Sequence, residues 1–399
     1  MFSSTKIFSK KDSTGMAQNT VFEQIIKLIP RTQFQSLVHQ HDADKFTRTM
    51  DSWTWFGALL FGQMTGHDSI RAIERVFAHT DSKMKKLGFG PVRKSTLADA
   101  NQNRSIDLLE SLFHYTLSQA QKFAPVKNGF RFNGQVLALD STTIELCLSL
   151  CPWAKFHHDK GATKLHTAID IAGDLPQFAV ITDGRTHDIR AAREQISFNK
   201  GTTVVCDRGY VDYAWLNELS QNGVWFVTRT KTNMIFKVVE SKPTDRTRGH
   251  ICDQIIYLKT QAGSKYQGKL RRITYRDPDT NKRLTFLTNR FDLATQTICD
   301  LYKARWKVEL FFKTLKQHLR IKKFLGTSAN AVKAQILVAL IAYLLVQILR
   351  FQLKTSISIV DAMAVIGTLL LLKQPLSILL GELPNVNRHP IGLQMTFNL

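Results

Sequence analysis

From about residue 20 to residue 125, apolar residues recur three and four positions apart. VFEQIIKLI, SWTWFGALLFGQM and SIRAIERVF each carry the spacing of a helix with one apolar face, and no strand-like alternation competes with them. The pattern predicts a helical N-terminal block over residues 21–125. Near its end, Gly-Pro punctuates GFGPVRKSTLADANQNRS, and Thr96 with Asp99 fits a capping box that opens a helix. Such a helix presents Asn101, Gln102 and Arg104 beside Arg93 and Lys94, side chains suited to phosphates and base edges. A solvated polar helix face has the same composition.

Beyond residue 130 the periodicity changes. QVLALDSTTIEL, KLHTAIDIA, PQFAVITDG and TTVVCDRGY are short apolar runs divided by Gly, Asp and Pro, which reads as strands. More β-like pieces, among them GVWFVTRT, DQIIYLK and RLTFLTNR, fill residues 222–290. One long helix is expected from Ala294 to Ile321, then apolar helices over 331–399. Ala334 to Leu349 carries no charge but falls short of the roughly 20 residues that span a bilayer, so a core helix is expected there.

Charge sharpens this picture. The 399 residues are 44% hydrophobic and 22% charged, which excludes a disordered chain. Lys and Arg number 54 against 32 Asp and Glu, a net +22 that favours a polyanionic partner: nucleic acid first, an anionic membrane surface second. Between Arg229 and Arg283 there are 14 basic and five acidic residues, so the β-rich segment is itself basic. The five Cys fit no zinc or disulfide spacing and read as reduced thiols of a cytosolic protein. Residues 1–20 are polar and basic without an apolar stretch, which reads as a flexible tail and not as a secretory signal.

Three acids stand out. Asp140 closes the run VLAL and Asp207 closes TTVVC. An acid at the end of a buried strand is held by the sheet yet faces a cleft, as a metal ligand must. Asp170 and Asp183 also end strand-like runs, so position alone does not choose between them. Glu309 is the one acid between Asp300 and Asp361, set among Lys303, Arg305, Lys307, Lys313, Lys316, Arg320, Lys322 and Lys323. Salt-bridge patterning does not explain a lone carboxylate there; a metal site on a helix facing DNA does. On a helical wheel Tyr302, Arg305, Glu309 and Lys316 fall within roughly 60° of one another.

Tyr, two residues, Arg, three residues, Glu, six residues, Lys resembles the signature of the DDE transposases of the IS-four family of bacterial insertion sequences. YKARWKVELFFKTLKQHLRIKKFLG is similar to that family's Glu helix, LALDSTTIEL to its first-Asp strand, VVCDRGY to its second, and ITDGRTHDIR to the segment between them. The resemblance spans about residues 20 to 330.

It implies an α/β fold: a ribonuclease H-like catalytic core over 130–330 with a β-rich basic insertion over 222–290, an α-helical DNA-binding domain before it and C-terminal helices after it. It implies catalysis by Asp140, Asp207 and Glu309, holding two Mg²⁺ ions, with Mn²⁺ able to substitute. Tyr302, Arg305 and Lys316 would hold DNA phosphates, and an aromatic of the insertion would stack a flipped base; Trp225 is the candidate. His187 and Asp188 receive no role. The implied partners are double-stranded DNA, as terminal inverted repeats and target, and a second copy of the chain in the synapse, with no membrane. The expected location is the bacterial cytoplasm, on the nucleoid. A nuclease that cuts without joining and a non-catalytic DNA-binding protein of the same fold are the alternatives.

Overall fold

The computed structural model describes residues 19–126, 129–157, 160–230, 234–317, 319, 321 and 324–381. Seven helices come first: α1 (Val21–Ile26), α2 (Arg31–Gln40), α3 (Ser52–Thr65), α4 (Ile70–His79), α5 (Asp81–Lys86), α6 (Lys94–Asn103) and α7 (Asp107–Gln121). Thr20, Asp51 and Ser69 each accept a backbone N–H of the helix they open, as N-cap side chains do. The start of α6 differs from the sequence reading. It begins at Lys94 behind an uncapped Arg93, so Thr96 lies inside the helix and opens nothing. Helix α3 is buried from Ser52 to Gln63 on every side, where its sequence suggested a single apolar face. Gly57 makes this close packing feasible, because a Cβ there would lie 2.2 Å from the Phe89 ring.

The sheet follows, in chain order β1 (Val136–Leu146), β2 (Lys155–His157), β3 (Lys160–Asp170), β4 (Leu175–Pro176), β5 (Val180–Asp183), helix α8 (Asp188–Gln195), β6 (Thr203–Cys206), helix α9 (Tyr213–Gln221) and β7 (Trp225–Arg229). β1 pairs antiparallel with β3 and parallel with β6, and β6 pairs parallel with β7. An antiparallel start joined to parallel strands through crossover helices is the ribonuclease H-like arrangement.

The insertion supplies β8 (Phe236–Lys242), β9 (His250–Leu258), β10 (Leu270–Arg276) and β11 (Arg283–Thr288). These strands extend the same sheet, β11 pairing with β7, so the spatial order is β2-β3-β1-β6-β7-β11-β10-β9-β8. The expected boundary at 222 therefore shifts: β7 belongs to the core, and the insertion begins after it.

The last helices are α10 (Thr295–Ala304), α11 (Trp306–Gln317), α12 (Ala329–Leu353), α13 (Ile359–Leu369) and α14 (Leu376–Leu379). The single helix expected from Ala294 to Ile321 is divided at Arg305. There the N–H of Arg305 donates to the carbonyl of Tyr302 and the N–H of Val308 to that of Arg305, each at 3.1 Å, so the turn is tightened to three residues.

Alternation along β1 sorts its side chains between two cores. Val136, Ala138, Ile144 and Leu146 join a core that contains Val308, Phe311 and Phe312 of α11, α12 and the N-terminal helices. Leu137 and Leu139 join a second core with Ala192 of α8 and Trp215 and Leu216 of α9. The expected units 21–125, 130–330 and 331–399 thus share one core, and the boundary at 330 falls inside α12. By length and composition α12 could cross a membrane, but 94% of its apolar window is buried in the protein, which makes it the central core helix. The expected tail over 1–18 and residues 382–399 lie outside the described residues.

Candidate active site

Register brings the first two acids together. Leu139 of β1 pairs with Cys206 of β6, so the next residues, Asp140 and Asp207, sit side by side on neighbouring parallel strands, whose backbones lie about 4.8 Å apart. Asp140 continues the even-numbered face of β1 and turns towards α11. Its Oδ1 accepts the N–H of Ser141 at 2.8 Å. Asp207 leaves β6 and caps the turn Arg208–Tyr210, its Oδ1 accepting the N–H of Gly209 at 2.8 Å. Thr228 of β7 fixes the same corner by donating to the Asp207 carbonyl at 3.0 Å.

Helices α10 and α11 bring the third acid. Arg305, at their junction, donates through Nη1 to Asp140 Oδ2 at 3.1 Å and through Nη2 to Glu309 Oε1. One guanidinium therefore joins the carboxylates of β1 and α11. Its Cζ lies 5.8 Å from the centre of the Tyr302 ring, and that ring packs on Phe286 at 4.8 Å. Lys316 lies two turns beyond Glu309 on α11 and is half-buried. The structure thus brings Asp140, Asp207, Tyr302, Arg305 and Glu309 to one corner. Arg320, Lys322 and Lys323 lie outside the described residues.

Burial dominates the electrostatics of this corner, with the neighbouring acids adding to it. Burial pushes the Asp140 carboxyl up to about 6; the Ser141 N–H and Arg305 oppose the shift, while Asp207 and Glu309 add to it. For Arg305, burial pulls the pKa down, but Tyr302, Glu309 and Asp140 outweigh it and the net direction is up. Burial also raises the Tyr302 phenol, against the pull of Arg305 and Arg229. Arg229, which sequence reasoning passed over, ends β7 one residue beyond Thr228, the partner of Cys206. Its only signal in the sequence is its place at the end of a buried strand.

A second polar group lies behind the site, on the opposite face of β1. Asp188 Oδ1 accepts Ser141 Oγ at 2.8 Å and Lys164 Nζ at 3.1 Å, which ties the start of α8 to β1 directly behind Asp140. His187 is the N-cap residue of α8.

Other candidates lie elsewhere. Trp225 opens β7 opposite Thr203, at the far end of both strands from Cys206 and Thr228. Arg290 lies over its ring at 5.4 Å, so it belongs to a packed cluster away from the acids. Arg104 is committed within the protein. It donates to Ser52 Oγ at 3.0 Å and to the Met50 carbonyl, pairs with Asp44 at 3.6 Å and lies over Trp55. Asn101 is buried, accepting the indole N–H of Trp55 at 2.8 Å. Both residues leave the face expected of them, because α6 packs that side inward. Arg93 and Lys94 are exposed at the start of α6.

The donor set suits a hard divalent cation: carboxylate oxygens in a partly dry pocket, with a cationic group already stable between two of them. Among the described residues, no three His, Cys, Asp or Glu side chains are drawn together as a finished ligand cluster. The expected convergence of the acids is therefore organised around Arg305.

Comparison with known proteins places this geometry. A transposase DDE domain matches residues 131–345, and a domain of unknown function, DUF4372, matches residues 17–90. A putative transposase, y4zB, of Sinorhizobium fredii is 35% identical over 63% of this chain and 70% of that protein. A probable transposase for insertion sequence element IS5377 of Geobacillus stearothermophilus is 29% identical over 66% of this chain and 69% of that protein. The piggyBac transposase synaptic complex with hairpin DNA is similar at a TM-score of 0.46 and 12% identity, over 91% of this chain and 82% of that one, too distant to add to the assignment. Three acids on β1, β6 and α11, in the order and spacing of the motif and inside the matched domain, make the chain a member of the DDE transposase family of bacterial insertion sequences, IS-four type.

Proposed function

We propose that Asp140, Asp207 and Glu309 are the catalytic carboxylates with which this transposase cuts its terminal repeats and joins them to target DNA. The observation that carries this reading is the link Asp140–Arg305–Glu309 beside Asp207, which gathers three acids distant in sequence on the central, neighbouring strands β1 and β6 and the helix beside them. The family uses divalent metal ions. In this chain the three carboxylates would hold two Mg²⁺ ions, with Mn²⁺ able to substitute, and the metal would supply activation of the attacking oxygen and stabilisation of the leaving one. In cleavage, water oxygen bonds to phosphorus and a 3′-hydroxyl leaves. In strand transfer, that hydroxyl gives up its proton and its oxygen bonds to phosphorus of a target phosphodiester, while the bond to the target strand's 3′-oxygen breaks and that oxygen leaves as a 3′-hydroxyl. Tyr302 on α10, Arg305 at the junction and Lys316 on α11 would grip the phosphates flanking the cut, holding the bond in line with its nucleophile.

The N-terminal helices would serve as the repeat-binding domain, with exposed Arg93 and Lys94 against the backbone. Cutting two ends calls for two copies of the chain in the synapse, on the nucleoid.

Glu309→Gln tests the core of this reading. It keeps the shape and removes the charge. Repeat-DNA binding should persist or tighten, because a repulsion from phosphate is gone and one of the two carboxylates that hold Arg305 loses its charge. Nicking and strand transfer should both fall by at least about a hundredfold. Cleavage at the parent rate would remove Glu309 from the site.

A further inference from the structure

We propose that Arg305 is a latch on the metal site: in the DNA-free protein its guanidinium occupies the space between Asp140 and Glu309 as an internal counterion, and a DNA phosphate releases it. This rests on the assignment of the three acids above. Each terminal nitrogen of Arg305 serves one of two carboxylates on different elements, Nη1 on Asp140 of β1 and Nη2 on Glu309 of α11. Charge-assisted bonds of this kind are among the strongest a side chain makes, and they engage one oxygen of each carboxylate, Oδ2 of Asp140 and Oε1 of Glu309, with a cation already in place where a divalent cation would sit. The group is only 16% exposed, so solvent screens the pair weakly. A cation entering from water must therefore displace a side-chain cation.

DNA alters that balance. A phosphate offers the guanidinium the same fork-to-fork geometry as a carboxylate. Arg305 sits at the tightened junction of α10 and α11, and its Nε, buried and without a partner, is a donor that the two carboxylates leave unused. A guanidinium that turns to a phosphate frees Asp140 and Glu309 together. Two carboxylates stripped of their counterion repel each other and Asp207, and a divalent cation relieves that repulsion. Metal and DNA then bind with positive coupling, and by linkage the effect is reciprocal. The consequence is protective: the DNA-free transposase holds its metal weakly, and the nuclease assembles on DNA.

The test measures Mn²⁺ binding and not turnover. Mn²⁺ affinity of the full chain is determined by electron paramagnetic resonance, alone and with a pre-cleaved terminal-repeat duplex ending in a 3′-deoxynucleotide, which cannot react. The parent should bind Mn²⁺ about tenfold more tightly with DNA, within the usual range for coupled sites. Arg305→Gln should bind Mn²⁺ tightly without DNA and show little further gain. Arg305→Lys keeps the charge but is shorter and lacks the planar fork that serves each carboxylate from its own nitrogen, and should fall between the two, a result readable even if the Gln variant folds poorly. Equal Mn²⁺ affinity of the parent with and without DNA overturns the latch, as does Arg305→Lys with parent affinity and parent coupling. Asp140→Asn and Glu309→Gln separate the two claims. If neither weakens Mn²⁺ binding, the acids themselves are misassigned; if both do and the Arg305 variants behave as the parent, only the latch fails.

Discussion

The carboxyl of Asp140 shows how one buried side chain sets conditions for the whole reaction. Burial, reinforced by Asp207 and Glu309, holds it near 6 against an ordinary value of 3.8. Because the folded value lies above the unfolded one, the proton is favoured in the native state. The resulting stabilisation is present at acid pH and is lost as pH rises from about 4 to about 6. Metal binding runs the other way, since it requires the carboxylate. Mn²⁺ affinity should therefore fall about tenfold for each pH unit below 6, and Asp140→Asn should show weak binding without that slope. A flat profile between pH 5 and 7 in the parent would contradict the burial argument. Asp207 was legible in sequence as an acid closing an apolar run and Glu309 as a lone acid among bases; Asp140 also closes such a run, but it lies inside β1, which continues to Leu146, and not at a strand end. The role of Arg305 between them was not legible, because sequence shows that a guanidinium and a carboxylate share a helix face but not that a third element supplies the other carboxylate.

At the scale of elements, the sequence marked where helices and strands lie better than which way they face. The spacing of α3 reads as one apolar stripe, yet later helices close over its other side. Arg104 and Trp225, expected at the DNA, are engaged within the protein for the same reason. A basic residue at a helix end and an aromatic in a basic strand are the composition of a DNA contact, but packing had claimed both. Arg104 bonds to Ser52 and the Met50 carbonyl and pairs with Asp44, so its loss leaves buried acceptors unpaired. Arg104→Ala should cost about 2 kcal/mol of stability while leaving the salt dependence of DNA binding unchanged. Trp225→Ala should likewise lower the melting temperature and spare nicking, since Trp225 lies at the far end of the strand from Thr228. Thermal melts with nicking assays decide both. A Trp225 variant that melts as the parent but fails in the reaction would return that residue to the DNA path.

For the whole molecule, the +22 charge is the property most directly read from sequence, and folding decides how much of it DNA meets. Arg229 to Arg283 holds 14 basic residues, 13 of them in the insertion beyond β7, but they are not equivalent. Arg271 is buried and spent in an ion pair with Asp253 at 2.5 Å, so it serves the fold. Lys237, Lys265 and Lys269 are exposed on the strands and turns that prolong the sheet past β7. If that extension is a DNA path, each exposed lysine that neutralises a phosphate releases a counterion. Each then adds about 0.9 to the slope of log affinity against log salt. The parent should lose affinity for repeat DNA steeply between about 50 and 200 mM salt. Lys237→Gln, Lys265→Gln and Lys269→Gln combined should reduce the slope by up to about 3 while leaving the melting temperature near the parent value. Arg271→Gln should do the reverse, lowering stability through the unpaired Asp253 with little effect on the slope. A triple variant that retains the parent slope would place the DNA on another surface, and the extended sheet would then be left with a structural role alone.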